Sequence, residues 1–255
     1  RRRSDNDPNM DKGVRAMLQL ADRSYIVGDT FKGLAALKSD GKIDLIECDP
    51  PYGIDLVDLK RSKDSAASNV HSYNEIPGSE YAVFLTDLAK ELYRVANKDA
   101  WLVFWFGPTW QNQVLLSLIA AGWIVDEIPC IWVKNQGQTN SPEYYLARTY
   151  EPFYLCRKGK PILIKRGRAN VFHFQGASDK YHPTQRPLDM MEELLSTLGV
   201  DLQTVMVPFL GSGVTLRAAY RLGMKAFGWD LNGEYKDRFL LSIEEDAKTL
   251  TQSEG

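Results

Sequence analysis

The apolar run Ile43-Asp44-Leu45-Ile46-Glu47-Cys48 ends on Asp49-Pro50-Pro51-Tyr52-Gly53. Two successive prolines have no N–H to give a sheet ladder and hold a fixed φ, so a buried strand must stop at Asp49. That stop delivers a carboxylate, a proline carbonyl and an aromatic ring to the C-terminal edge of a strand, where open α/β sheets bind ligands. Two acceptors beside an aromatic face suit a flat ring bearing an exocyclic amino group. A plain strand-ending turn would show the same few residues, so the rest of the chain has to decide.

Strand and helix signals alternate along the chain, which predicts an α/β fold with a mainly parallel sheet covered by helices on both faces. Strands are expected at Tyr25 to Val27, Ile43 to Cys48, Trp101 to Phe106, Ile124 to Val133, Pro152 to Cys156, Thr204 to Val207 and Ala226 to Asp230. Between Ser79, a candidate N-cap, and Val95, the residues Tyr81, Phe84, Leu85, Leu88, Leu92 and Val95 share one helical face. Further helices are expected at Gln111 to Ala121, Pro187 to Leu198, Val214 to Leu222 and from Glu234, several of them closed by a glycine.

The 255 residues, 44% apolar and 25% charged, suit one domain over residues 21–250, with residues 1–20 as an N-terminal linker or extension. A net charge of −2 excludes a polybasic protein, so any contact with nucleic acid must come from a local patch. Three scattered cysteines and three histidines offer no metal-ligand spacing, so no metal is expected, and the cysteines fit a reducing compartment. No membrane span or secretory leader is visible, which points to the cytoplasm. The chain does not begin with Met, as expected for a piece of something longer.

A second motif, Phe209-Leu210-Gly211-Ser212-Gly213, lies between an expected strand and an expected helix. Glycines there permit a tight turn and close approach of a ligand to a helix N-terminus. The next strand ends at Asp230, placed to accept from ribose hydroxyls. Gly211 to Leu216 lacks the last glycine of a dinucleotide fingerprint, which favours a nucleoside ligand without a diphosphate.

Together with His182-Pro183-Thr184-Gln185-Arg186-Pro187-Leu188, these motifs resemble the signatures of S-adenosylmethionine-dependent DNA amino-methyltransferases. Their order, with Asp49-Pro50-Pro51-Tyr52 ahead of the glycine motif, resembles the circularly permuted β class. The resemblance implies a Rossmann-like methyltransferase fold with a seven-stranded type of sheet. It implies that Asp49, Pro50, Pro51 and Tyr52 form the catalytic set. It also implies that Asp29, Thr184, Gln185, Arg186, Phe209, Gly211, Ser212, Gly213, Thr215 and Asp230 bind S-adenosylmethionine. Two positions depart from the family pattern: Val207 stands where many members carry an acidic residue, and Arg186 replaces the commoner lysine.

The chemistry follows from the residue types. An aromatic amine is a weak nucleophile, and acceptors at Asp49 and the Pro50 carbonyl would draw its nitrogen toward tetrahedral geometry. A base inside a duplex must be flipped out to reach them, which gives Tyr52 a stacking role. Asp at position 49, where cytosine enzymes of this resemblance more often have Ser, favours adenine N6 in double-stranded DNA. Cytosine N4 methylation is the alternative, with a non-catalytic cofactor- or DNA-binding subunit and an RNA or protein amide methyltransferase as further rivals. Phosphate contacts are expected from Lys60, Arg61 and Lys63, and from Arg157, Lys158, Lys160, Lys165, Arg166 and Arg168 in a small basic insertion near 157–181. So little room remains for reading bases that either a short or relaxed target is expected, or recognition supplied by a second copy (a homodimer), a partner subunit or a domain on the N-terminal side.

Overall fold

The computed structural model describes residues 11–39, 42–51, 78–139, 142–176 and 185–253. One sheet carries strands β1 (Tyr25–Val27), β2 (Ile43–Cys48), β3 (Ala96–Trp105), β4 (Ile124–Val125), β5 (Cys130–Gln138), β6 (Arg148–Lys158), β7 (Val171–His173), β8 (Thr204–Val207) and β9 (Lys225–Asp230). Their order is β1-β9-β8-β2-β3-β6-β5-β7, with β4 on β6. β6 runs antiparallel to its neighbours β3, β4 and β5, and every other pairing is parallel. The helices described are α1 (Lys12–Ser24), α2 (Thr30–Ala36), α3 (Gly78–Val95), α4 (Gln111–Ala120), α5 (Leu188–Leu198), α6 (Val214–Arg221) and α7 (Glu234–Ser253). None is long and apolar enough to cross a membrane.

Strand alternation sorts the core into two layers. Leu45, Val103, Trp105, Val205 and Val207 pack with residues of α1, α5, α6 and α7. Ile46, Cys48, Leu102, Phe104 and Met206 face α2, α3 and α4. In α3, Tyr81, Leu85, Leu88, Leu92 and Val95 are buried as the periodicity predicts, each large side chain contributing on the order of 2 kcal/mol. The parallel units β2-α3-β3 and β8-α6-β9 bring the ends of β2, β8 and β9 to one edge of the sheet.

The expected outline needs three adjustments. The sheet has nine strands against the seven named from the sequence: the run Ile124 to Val133 divides into β4 and β5, and the stretch read as a basic insertion contains β7, paired with β5. β5 and β6 run well past the expected apolar segments as a long antiparallel pair. Helix α1 begins inside the expected linker: the Asp11 carboxylate caps it by accepting from the Gly13 and Val14 amides, and Ala21 is buried in the core with α7.

Candidate active site

Asp49 emerges half-buried from β2 and is followed by buried Pro50. Its Oδ2 accepts a 2.6 Å hydrogen bond from Nη1 of Arg186, which sits just before α5. The guanidinium is only 7% exposed and lies 3.7 Å over the ring of Trp105, at the end of β3. Its Nη2 is 3.4 Å from Oε2 of Glu151 on β6, and its Nη1 is 4.0 Å from Oε1 of Glu47 on β2. Lys134 on β5 also pairs with Glu151. One planar cation is thus braced by three carboxylates and an aromatic face, an arrangement suited to the fork of arginine rather than the point charge of lysine.

Glu47 is the most deeply placed of these acids. Its Oε2 accepts from the Thr215 hydroxyl at 3.1 Å, while Oε1 is buried with no hydrogen-bond partner among the described residues. Burial pushes its pKa up to about 7; Arg186 opposes the rise and the neighbouring Asp49 adds to it.

Beyond β8, residues Pro208 to Gly213 make a turn in which Gly211 and Gly213 have φ of 51° and 74°. A Cβ on Gly213 would stand 2.7 Å from a ring carbon of Phe239. The turn is pinned from several sides. Tyr25 donates its hydroxyl hydrogen to the Gly211 carbonyl at 2.7 Å, Thr30 donates to the Pro208 carbonyl, and the Gly211 amide donates to Oδ2 of Asp230 at 2.7 Å. The other oxygen of Asp230 accepts from the Asn232 amide at 2.8 Å. Burial raises the Asp230 pKa, against the pull of those two amides. Asp29 caps α2 by accepting from the Lys32 amide at 2.9 Å, and Gly28 beside it donates to the Asp230 carbonyl.

Asp49 and Arg186 are therefore in direct contact, while Gly211, Asp230 and Asp29 gather at the ends of β8, β9 and β1. Thr215, in the first turn of α6, joins the two groups through Glu47. Phe209 packs against Phe84, Ser212 is buried, and Gln185 lies half-buried beside Arg186. Tyr52, Thr184, Lys60, Arg61 and Lys63 fall outside the described residues. Sequence reasoning missed Glu47, Glu151, Trp105 and Tyr25. Only Glu47 carried a signal, as a charge inside an otherwise buried strand.

The basic stretch is placed differently from expectation. Phe104 pairs with both Cys48 and Tyr154, whereas Lys158 pairs with Ala100, so Arg157 to Lys160 lie at the edge of the sheet opposite Asp49. Lys158 donates to the Tyr93 and Ala96 carbonyls at 2.7 and 3.0 Å, and its burial lowers its pKa. Arg157 donates to the Gly159 carbonyl. Lys165 and Arg168 both bind Glu193 of α5, at 2.5 and 3.0 Å, and Arg168 also lies over Phe172. Lys160 and Arg166 are exposed. Arg157, Lys158, Lys165 and Arg168 thus have partners within this protein.

A sheet wound on both faces, with a Pro-terminated acidic strand end and a glycine turn at one edge, defines a Rossmann-like methyltransferase. Residues 43–241 match the DNA methylase family, and the chain belongs to that family of N6/N4 enzymes. It is similar to YubD of Escherichia coli (strain K12), a protein that carries a methylase name, with 26% identity over 212 residues covering 83% of this chain and 86% of YubD. Its fold resembles that of M1.HpyAVI in a complex with SAM (TM-score 0.66, 19% identity, 86% of this chain and 98% of that one). It also resembles the cytosine-N4-specific PvuII DNA methyltransferase (TM-score 0.65, 15% identity, 88% and 94% of the two chains).

Proposed function

We infer that this DNA methylase transfers a methyl group from S-adenosylmethionine to the N6 amine of an adenine flipped out of double-stranded DNA, and that it belongs to the permuted β class. The observation that carries the reading is the Asp49 carboxylate, half-buried at the catalytic edge and held by Arg186, at the same edge as the Gly211 to Gly213 turn. The residues present fit the cofactor. Gly211 and Gly213 hold the turn in positive-φ backbone, and at Gly213 a Cβ would collide with Phe239 beneath it, so the turn stays bare backbone. Each Asp230 oxygen holds one backbone amide and keeps acceptor capacity for a ribose hydroxyl.

When bound, S-adenosylmethionine supplies a methyl group activated on a sulfonium. Phe209, Gly211, Ser212, Gly213 and Thr215 would hold its methionyl end, Asp230 and Asp29 its nucleoside, and Thr184, Gln185 and Arg186 its carboxylate. Asp49 and the Pro50 carbonyl each accept one N–H of the target amine, which turns the nitrogen lone pair away from the ring. Asp49 then takes the proton that the methylated amine must lose. Tyr52 supplies the stacking face. The choice of adenine rests on Asp49, and target reading is assigned to a second copy or a partner subunit.

The test is transfer from radiolabelled S-adenosylmethionine to duplex DNA, followed by nucleoside separation. We expect N6-methyladenine, with Asp49→Ala losing at least about 100-fold in turnover while calorimetric cofactor affinity stays within a few-fold. N4-methylcytosine alone would overturn the base assignment, and cofactor affinity lost with turnover retained would overturn the role of Asp49.

A further inference from the structure

Around Arg186 the described residues place three carboxylates against two cations, Arg186 itself and Lys134. Glu151 and Asp49 are both hydrogen-bonded to the guanidinium. Glu47 is not: its Oε1 faces the guanidinium at 4.0 Å and is buried, and no donor among the described residues meets it at hydrogen-bond geometry, the nearby Trp105 indole N–H being likewise without an acceptor. A buried carboxylate oxygen left in that condition is costly unless a proton or a cation completes it.

The position of Glu47 indicates which cation. Leu45 pairs with Val205 in parallel register, so Glu47, two residues on, shares a sheet face with Val207 at the end of β8. Val207 is apolar and 1% exposed, so β8 brings no carboxylate to this edge. The carboxylate comes instead from the neighbouring strand, fixed through Oε2 by Thr215, two residues beyond Gly213. The carboxylate therefore bridges Thr215, behind the glycine turn, and Arg186.

We propose that Glu47 is the counter-charge for the α-ammonium of the methyl donor, taking it at Oε1 when the donor carboxylate engages Arg186. This rests on the reading of S-adenosylmethionine as cofactor. An amino-acid zwitterion brings an anion for the guanidinium and a cation for Glu47 together, so the cluster completes its missing contact without a change in net charge. Glutamine at position 47 would keep the shape and the Thr215 contact but not the charge.

Calorimetry on the full chain separates the possibilities, using two ligands that share a nucleoside. S-adenosylmethionine carries the ammonium, and 5′-methylthioadenosine lacks the whole amino-acid portion. In Glu47→Gln we expect the Kd for S-adenosylmethionine to rise at least about 10-fold and that for 5′-methylthioadenosine to stay within about twofold. Glu47→Asp, which restores the charge, should recover part of the loss. Unchanged S-adenosylmethionine affinity in Glu47→Gln overturns the proposal. An equal loss for both ligands, or a Glu47→Asp protein as weak as Glu47→Gln, overturns it as well, since a general structural role would then account for the effect. If the wild-type chain binds neither ligand, the cofactor reading fails first and takes this inference with it.

Discussion

Glu47 and Arg186 carry opposite burdens of the same burial. The guanidinium stacks on Trp105 and donates to Asp49 and Glu151 through its two terminal nitrogens, whereas burial is the largest influence on Glu47. Its folded pKa of about 7 lies above the ordinary 4.5, so the folded state binds a proton more tightly than the unfolded state. Stability contributed by this group is therefore fully present below about pH 4.5 and is lost as pH rises through about 7. The groups facing it are Arg186, Asp49, Thr215 and Trp105, and Glu47→Gln removes the titration while leaving them in place. Urea unfolding of both proteins at pH 5 and pH 8 should show the wild type losing on the order of 3 kcal/mol relative to Glu47→Gln between the two conditions. Parallel pH profiles would mean that Glu47 is ionised throughout or reaches solvent.

At the scale of elements, the glycine turn owes its shape to backbone that only glycine adopts cheaply. Gly213 has φ of 74° and packs against Phe239 of α7, so Gly213→Val combines left-handed strain with a clash. The expected cost is about 2–5 kcal/mol in stability, read as a lowered urea midpoint, and the folded fraction should bind S-adenosylmethionine at least about 10-fold more weakly. Normal cofactor affinity in that variant would remove the turn from the site. This turn and the end of β2 were legible in the sequence because prolines and glycines act locally. The partners that fix them were not legible: Tyr25 reaches Gly211 across 186 residues of chain, and Arg186 reaches Asp49 across 137. Helix α1 had a local signal, with Val14, Met17, Leu18 and Ala21 at helical spacing, but the polar residues around them read as linker. The placement of β6 antiparallel between β3 and β5 is a long-range pairing that no apolar run could announce.

Across the whole molecule, the two edges of the sheet are differently equipped, and this decides where a duplex can lie. The level of Lys158 is four residues from that of Phe104 along β3, about 13 Å below the catalytic end, and Lys158, Lys165 and Arg168 are already committed to carbonyls or to Glu193. At the end of the sheet that carries Asp49, Glu151 of β6 lies beside Arg186, and Tyr144, Tyr145 and Leu146 ahead of β6 and Arg148 at its start are exposed. A DNA strand that presents a base to Asp49 passes this segment before it could reach the far-edge lysines. Arg148→Ala should therefore weaken binding to duplex plasmid DNA and reduce the slope of log K against log salt by about one, as for a lost phosphate contact. Lys158→Ala should leave that slope unchanged and lower stability by about 1 kcal/mol, because it strips a half-buried cap from the end of α3. The two variants give opposite pairs of readouts in salt-titrated binding and urea unfolding. If Lys158→Ala flattened the salt dependence while Arg148→Ala did not, the duplex would run along the far edge, and Asp49 could not be the group that receives its base.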